Sequence, residues 1–150
     1  MGRSRGGLTS KVTALTDAQG RIVRFTLKPG NTHEIKELVP LLEEIQVTGQ
    51  LLADKAYDSH KIREWLAEAG IKAVIPPQRK QNRKKPEPYC DMEAYKARHL
   101  VENAFADIKQ FRGVATRYCK LAVTYCELLS LVCWVVNTRP TRRGASPYLR

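Results

Sequence analysis

Residues 95–109 read YKARHLVENAFADIK. Tyr95, Arg98, Glu102 and Lys109 stand at offsets 0, 3, 7 and 14 in this stretch, with nearly everything apolar falling between them. At about 100° per residue, the four fall within an arc of roughly 60° on one side of a helix. Val101, Ala104, Phe105, Ile108 and Phe111 take the far and flanking arc. Such a helix has a core face and, opposite it, a line of reactive groups spread over about four turns. Arg98 and Glu102 are also an i,i+4 pair that slightly stabilises any helix, so a salt-bridged surface is the bland account of the same spacing.

Outward from this helix the chain reads as one mixed α/β unit. Residues 8–16 and 21–28 are rich in β-formers, with Val23, Phe25 and Leu27 alternating, and DAQG between them predicts a hairpin closing at Asp17–Gly20. Asn31 or Thr32 then caps a helix through Ile35, Leu38, Leu42 and Ile45, which Pro40 must end or bend. QLLAD, residues 50–54, is a short apolar run that reads as a buried strand with Asp54 at its carboxyl end. A helix from about Ser59 to Ala69 follows, capped by Asp58 or Ser59 and closed by Gly70, and KAVIPP is one more strand. Two helices, about 91–112 and 118–137, complete the fold before a basic tail at 139–150. Residues 1–138 are expected to form a single domain.

A formal net charge of +11 and a pI near 9.8 point to a polyanionic partner, nucleic acid being the commonest. QRKQNRKKPEP holds Arg79, Lys80, Arg83, Lys84 and Lys85 with no apolar residue, a solvated loop that can also ride along a DNA backbone. RSRGG near the start reads as a basic arm or a solvated terminus. MGRSRGGLTSK lacks the apolar core of a signal peptide. LAVTYCELLSLVCWVV, residues 121–136, contains Glu127 and is short for a membrane span, so it reads as a buried helix in a protein that stays in the cytoplasm. Cys119, Cys126 and Cys133 recur every seven residues on one face of that helix, as small hydrophobes, and with Cys90 they show no CxxC or zinc spacing. His33, His60 and His99 are scattered and are assigned no metal, and Trp65 is expected in the core beside Ile62 and Leu66.

Asp54 changes the weight of the opening pattern. Open α/β sheets place their ligand chemistry at the carboxyl ends of strands. Hard divalent ions take a few carboxylates together with phosphate oxygens. If Asp54 and Glu102 converge they can hold Mg²⁺, with Arg98 as a fork and Lys109 as a point charge on phosphates. Tyr95 would position a phosphate or stack on an unpaired base. The bland alternative for Asp54 is a strand-end turn or a helix cap.

At these residues the chain resembles the DDE transposases of bacterial insertion sequences, the group numbered four and five. YKARHLVENAFADIK fits that group's Y-x2-R-x3-E-x6-K signature without a mismatch, and LLADKAYDS looks like the segment holding its second catalytic aspartate. GRSRGGLTSKV, LKPGNTHE and VIPP look like further blocks in their usual order, so the resemblance covers about residues 2–138.

The resemblance implies an RNase H-like fold, a mixed sheet with flanking helices, in which Asp, Asp and Glu bind Mg²⁺, with Mn²⁺ as an alternative. It implies cleavage of DNA at the element's ends and joining of the freed 3′ hydroxyl to target DNA. By position, Asp54 matches the second aspartate and Glu102 the glutamate, while Tyr95, Arg98 and Lys109 match the rest of the signature. The first aspartate, carried by the fold's first strand upstream of GRSRGG, has no match, because Asp17 falls in the hairpin turn. The expectation is therefore a catalytic portion that lacks this strand and is inactive without an upstream segment, fused or in trans. Such a chain is either a frameshift product or a fragment. The complete protein would act on element ends and target DNA as a homo-oligomer at the nucleoid. A non-catalytic basic DNA-binding protein, either a transposition regulator or a decayed remnant, is the other reading.

Overall fold

A computed structural model describes residues 2–4, 7–30, 35–45, 47–78 and 88–139. The chain opens with β1 (Gly2–Ser4), β2 (Gly7–Thr16) and β3 (Ile22–Pro29), a three-stranded antiparallel sheet in that order. The hairpin turn lies where DAQG predicts it. The Asp17 carboxylate accepts from the backbone N–H groups of Gln19 and Arg21, both at 2.9 Å, and Gly20 adopts φ +78°. Asp17 is thus a turn-building residue. At the start of RSRGG the backbone of Arg3 pairs with Leu8 in the β1–β2 ladder.

Helix α1 (Ile35–Glu43) contains Pro40 and continues beyond it. The proline does not end the helix, because Leu38, Leu41 and Leu42 on either side of it are all buried and hold the last turn in place. The predicted cap at Asn31 or Thr32 lies outside the described residues. Strands β4 (Gln50–Leu52) and β5 (Lys72–Val74) pair in parallel, joined by helix α2 (His60–Glu68). Ser59 caps α2, its hydroxyl accepting from Ile62 N–H at 3.2 Å, and Gly70 leaves the helix at φ +69°.

The predicted helix over 91–112 keeps helical backbone from Met92 to Lys109, tightens once on the way, and is followed by a short separate helix. The stretch comprises α3 (Met92–Tyr95), a 3₁₀ turn at Lys96–Arg98, α4 (His99–Lys109) and α5 (Arg112–Ala115). At the tightening the His99 ring nitrogen Nδ1 lies 2.7 Å from the Lys96 carbonyl. Before α5, Phe111 is extended. The last helix, α6 (Ala122–Thr138), starts later than predicted because Arg117 sits at φ +48° and Leu121 is extended.

Two apolar clusters hold these pieces. Ile22, Ala104, Ile108, Val114, Tyr125, Leu129, Val132 and Cys133 form one, against which Val12, Ala14, Phe25 and Leu27 of the hairpin pack. Leu38, Leu42, Leu51, Ala53, Ile62, Leu66, Ile71 and Ile75 form the other, with Trp65 and Leu15 against it. Trp65 and Cys133 therefore pack as expected. Among the described residues, the strands divide between a three-stranded antiparallel sheet and a separate two-stranded parallel one. No helix among them is long and apolar enough to cross a membrane.

Candidate metal and phosphate site

The signature row survives the 3₁₀ tightening. Tyr95 ends α3, Arg98 ends the 3₁₀ turn and Glu102 lies in the first turn of α4. In a 3₁₀ turn residues i and i+3 nearly eclipse, which stacks Arg98 on Tyr95. The guanidinium carbon lies 5.5 Å from the ring centroid, a cation–π contact. Arg98 Nη2 donates to Glu102 Oε1 at 2.5 Å. Lys109 is exposed in the last turn of α4, about 10 Å along the axis from Glu102.

Asp54 follows β4. It caps a 3₁₀ turn at Lys55–Tyr57, and its Oδ1 accepts from Lys55 N–H at 2.6 Å. The helix-cap account of Asp54 is therefore correct as far as it goes, and the carboxylate is exposed. Asp91, at the start of α3, links that segment to β5. Its Oδ1 caps the helix by accepting from Ala94 N–H at 3.0 Å, while its Oδ2 receives Lys72 Nζ of β5 at 2.9 Å. The backbone bond from Ala94, and then Lys72, hold Asp91 below the usual carboxylate range.

Tyr95 lies between the two groups of charges. Its phenol pKa is raised, first by burial, with Arg98 opposing and the negative charges of Asp54, Cys90 and Glu102 adding to the rise. Bonds to Lys55 and Arg98 engage one oxygen each of the Asp54 and Glu102 carboxylates. Two exposed hard-oxygen donors on separate elements, beside a guanidinium, suit a divalent ion that keeps water or phosphate oxygens in its remaining positions. Among the described residues no three His, Cys, Asp or Glu side chains gather as a metal cluster. Arg79, Lys80, Arg83, Lys84 and Lys85 lie outside the described residues, as does His33. His60 pairs with Glu64 at 2.8 Å.

Two residues beside the site escape sequence reading. Asp58 is buried and accepts from Arg63 Nε at 2.8 Å and from Gln78 N–H at 2.7 Å. Arg63 Nη2 in turn donates to Ile75 O at 2.7 Å. In sequence Asp58 is one of two adjacent cap candidates, and no local pattern distinguishes it as a buried ion-pair partner.

Residues 2–137 match the family described as Transposase DDE domain. A putative transposase for insertion sequence element IS6501 from Brucella ovis is 30% identical over 133 residues, 88% of this chain and all of that protein. The transposase for IS1106 from Neisseria meningitidis serogroup B is 34% identical over 106 residues, 69% of this chain but 37% of that protein. A putative transposase for IS402 from Burkholderia cepacia is 28% identical over 153 residues, 95% of this chain and 68% of that protein. The chain thus spans the whole of one relative and little more than a third of another. No solved structure matches it.

Proposed function

The chain belongs to the DDE transposase family of insertion sequences, and on that premise we propose that it is the portion of a transposase that carries two of three metal-binding carboxylates, Asp54 and Glu102. The observation that carries this reading is the row Tyr95, Arg98 and Glu102, joined by a ring stack and an ion pair on the α3–α4 segment, with Asp54 exposed just past the end of β4. Mg²⁺, or Mn²⁺ in its place, would be held by Asp54 and Glu102. When bound, it supplies charge that activates an attacking oxygen and stabilises a leaving one in DNA strand cleavage and strand transfer.

The chain's own residues have separable tasks in this proposal. Arg98 offers a planar fork to a phosphate, and its present partner Glu102 holds it in the site until DNA arrives. Tyr95 keeps the guanidinium in place through its ring and stays protonated at neutral pH, because burial raises its pKa further. Lys109 adds a point charge two turns away, where it can meet a flanking phosphate. The basic run Arg79, Lys80, Arg83, Lys84 and Lys85 supplies salt-dependent backbone attraction. An upstream segment, fused or in trans, would supply the third carboxylate and the strand that completes an RNase H-like sheet across residues 1–138, with 139–150 as a basic tail. Assembly as a homo-oligomer, on element ends and target DNA in the bacterial cytoplasm and nucleoid, belongs to the same proposal.

A second reading is favoured by one observation: Glu102 is satisfied by Arg98 and Asp54 by its own turn, as a non-catalytic basic DNA-binding protein would require. Glu102→Gln separates the two in a protein joined to the upstream segment. The proposal expects loss of Mg²⁺-dependent cleavage with DNA retention largely intact. Retained cleavage in that variant would remove Glu102 from the mechanism.

A further inference from the structure

Asp58 is the one buried charged residue among the described residues, its side chain 2% exposed against 19% for Arg63. Burying an ion pair costs desolvation that its mutual attraction seldom recovers in full, so stability alone is a weak reason to keep one here. Its connections suggest a different role. Asp58 N–H donates to Lys55 O at 3.0 Å and Tyr57 N–H to Asp54 O at 2.9 Å, which closes the 3₁₀ turn that Asp54 caps. The Asp58 carboxylate reaches across to Gln78 N–H, and through Arg63 to Ile75 O, both on the chain leaving β5. The β4–β5 ladder beneath has only three paired residues on each strand, Gln50–Leu52 against Lys72–Val74. So short a parallel pair, with its slanted bonds, holds the turn beyond it weakly.

We infer that Asp58 and Arg63 are positioning residues that lock the Asp54 turn to the end of β5 and so fix the Asp54 carboxylate. The inference rests on the proposed role of Asp54 as a metal ligand. Neither residue touches the metal or the DNA in this scheme. An asparagine at 58 would keep one acceptor for one donor but set its NH₂ against the other. The turn would then loosen while α2, packed through Ile62 and Leu66, stays formed.

Amide hydrogen exchange on the full chain tests the lock directly. In Asp58→Asn the amides of Tyr57 and Asp58 should exchange about tenfold faster or more, as a local opening. Arg63→Lys keeps the charge but loses the fork onto Ile75 O, and should give a smaller increase at the same amides. Asn137→Ala, which unpins α6 from β3 far along the chain, serves as the control for general destabilisation and should leave the turn amides unchanged relative to the rest. Mn²⁺ added to the same variants joined to the upstream segment should broaden the Lys55 amide in the wild type, and about 10–100-fold more Mn²⁺ should be needed in Asp58→Asn, as for loss of a partner that orients a ligand. Turn amides that stay protected in Asp58→Asn and Arg63→Lys, with normal Lys55 broadening, would overturn the lock and leave the role of Asp54 standing. Absence of broadening in the wild type would overturn the Asp54 reading and the purpose of the lock with it.

Discussion

Replacing Arg98 with methionine separates a surface ion pair from a phosphate-binding group. The substitution keeps most of the apolar stem and removes the fork. Arg98 and Glu102 side chains are 28% and 57% exposed. An ion pair this open to solvent contributes about 0.2–1 kcal/mol. The stacking on Tyr95 adds about 0.5–1 kcal/mol for an exposed cation–π contact. The fold should therefore lose less than about 2 kcal/mol, a shift in Tm of roughly 4–8 °C at most for a chain of this size. Binding to DNA should respond more strongly. Loss of one charge-assisted bond to phosphate costs about 1.5–3 kcal/mol, roughly 10- to 100-fold in affinity. It also lowers the slope of log K against log salt by about 0.9. Fluorescence anisotropy with a labelled duplex over a salt series, paired with a thermal melt, reads both quantities. An unchanged slope with affinity within about twofold of wild type would show that Arg98 serves only Glu102, and the phosphate argument would fail.

Three further outcomes follow from the geometry. Asn137 accepts from Ile22 N–H at 2.9 Å and donates to Ile22 O at 2.8 Å, so Asn137→Ala leaves both backbone groups of a buried residue unpaired. The expected loss is about 2–3 kcal/mol in urea denaturation, and a loss below about 0.5 kcal/mol would mean that water replaces the amide without cost. Burial raises the Cys133 thiol to about 11, so at pH 8 it should be alkylated far more slowly than half-buried Cys119 in the native protein, with peptide mass spectrometry as the readout. Asp91, held low by Ala94 N–H and Lys72, stabilises the fold above its unfolded value near 3.8, and that share disappears as pH falls through its still lower folded value. Lys72, held high by Asp91, stabilises the fold below 10.5 and loses that share as pH rises through its higher folded value. The stability gap between wild type and Asp91→Ala, followed by thermal melts, should be widest between these limits and shrink beyond either.

The legible parts of the sequence were those with short-range causes. Alternation at Phe25 and Leu27 together with DAQG specifies the hairpin, because turn and strands lie within one stretch, while a bulge opposite Leu15 and Thr16 turns Val23 out and puts Ile22 in the core. The row Tyr95, Arg98, Glu102 stays on one side because the backbone remains helical from Met92 to Lys109, with only a 3₁₀ turn at residues 96–98. The 3₁₀ tightening falls where the His99 ring meets the Lys96 carbonyl, a contact invisible to periodicity. Asp58 and Arg63 could not be read, because their partners are the backbone of Ile75 and Gln78, more than ten residues further along. Lys72 of β5 meets Asp91 at the start of α3, a contact between elements that no local spacing encodes.

The central claim is that Asp54 and Glu102 serve one metal ion, and a double-mutant cycle in Mn²⁺ binding tests it most directly. Titrations of the wild type, Asp54→Asn, Glu102→Gln and the double variant, each joined to the upstream segment and followed by water proton relaxation, give four affinities. If both carboxylates share one ion, each single substitution removes most of the binding and the double variant loses little more. Two independent losses that add, or single variants that bind Mn²⁺ like the wild type, would contradict the shared site.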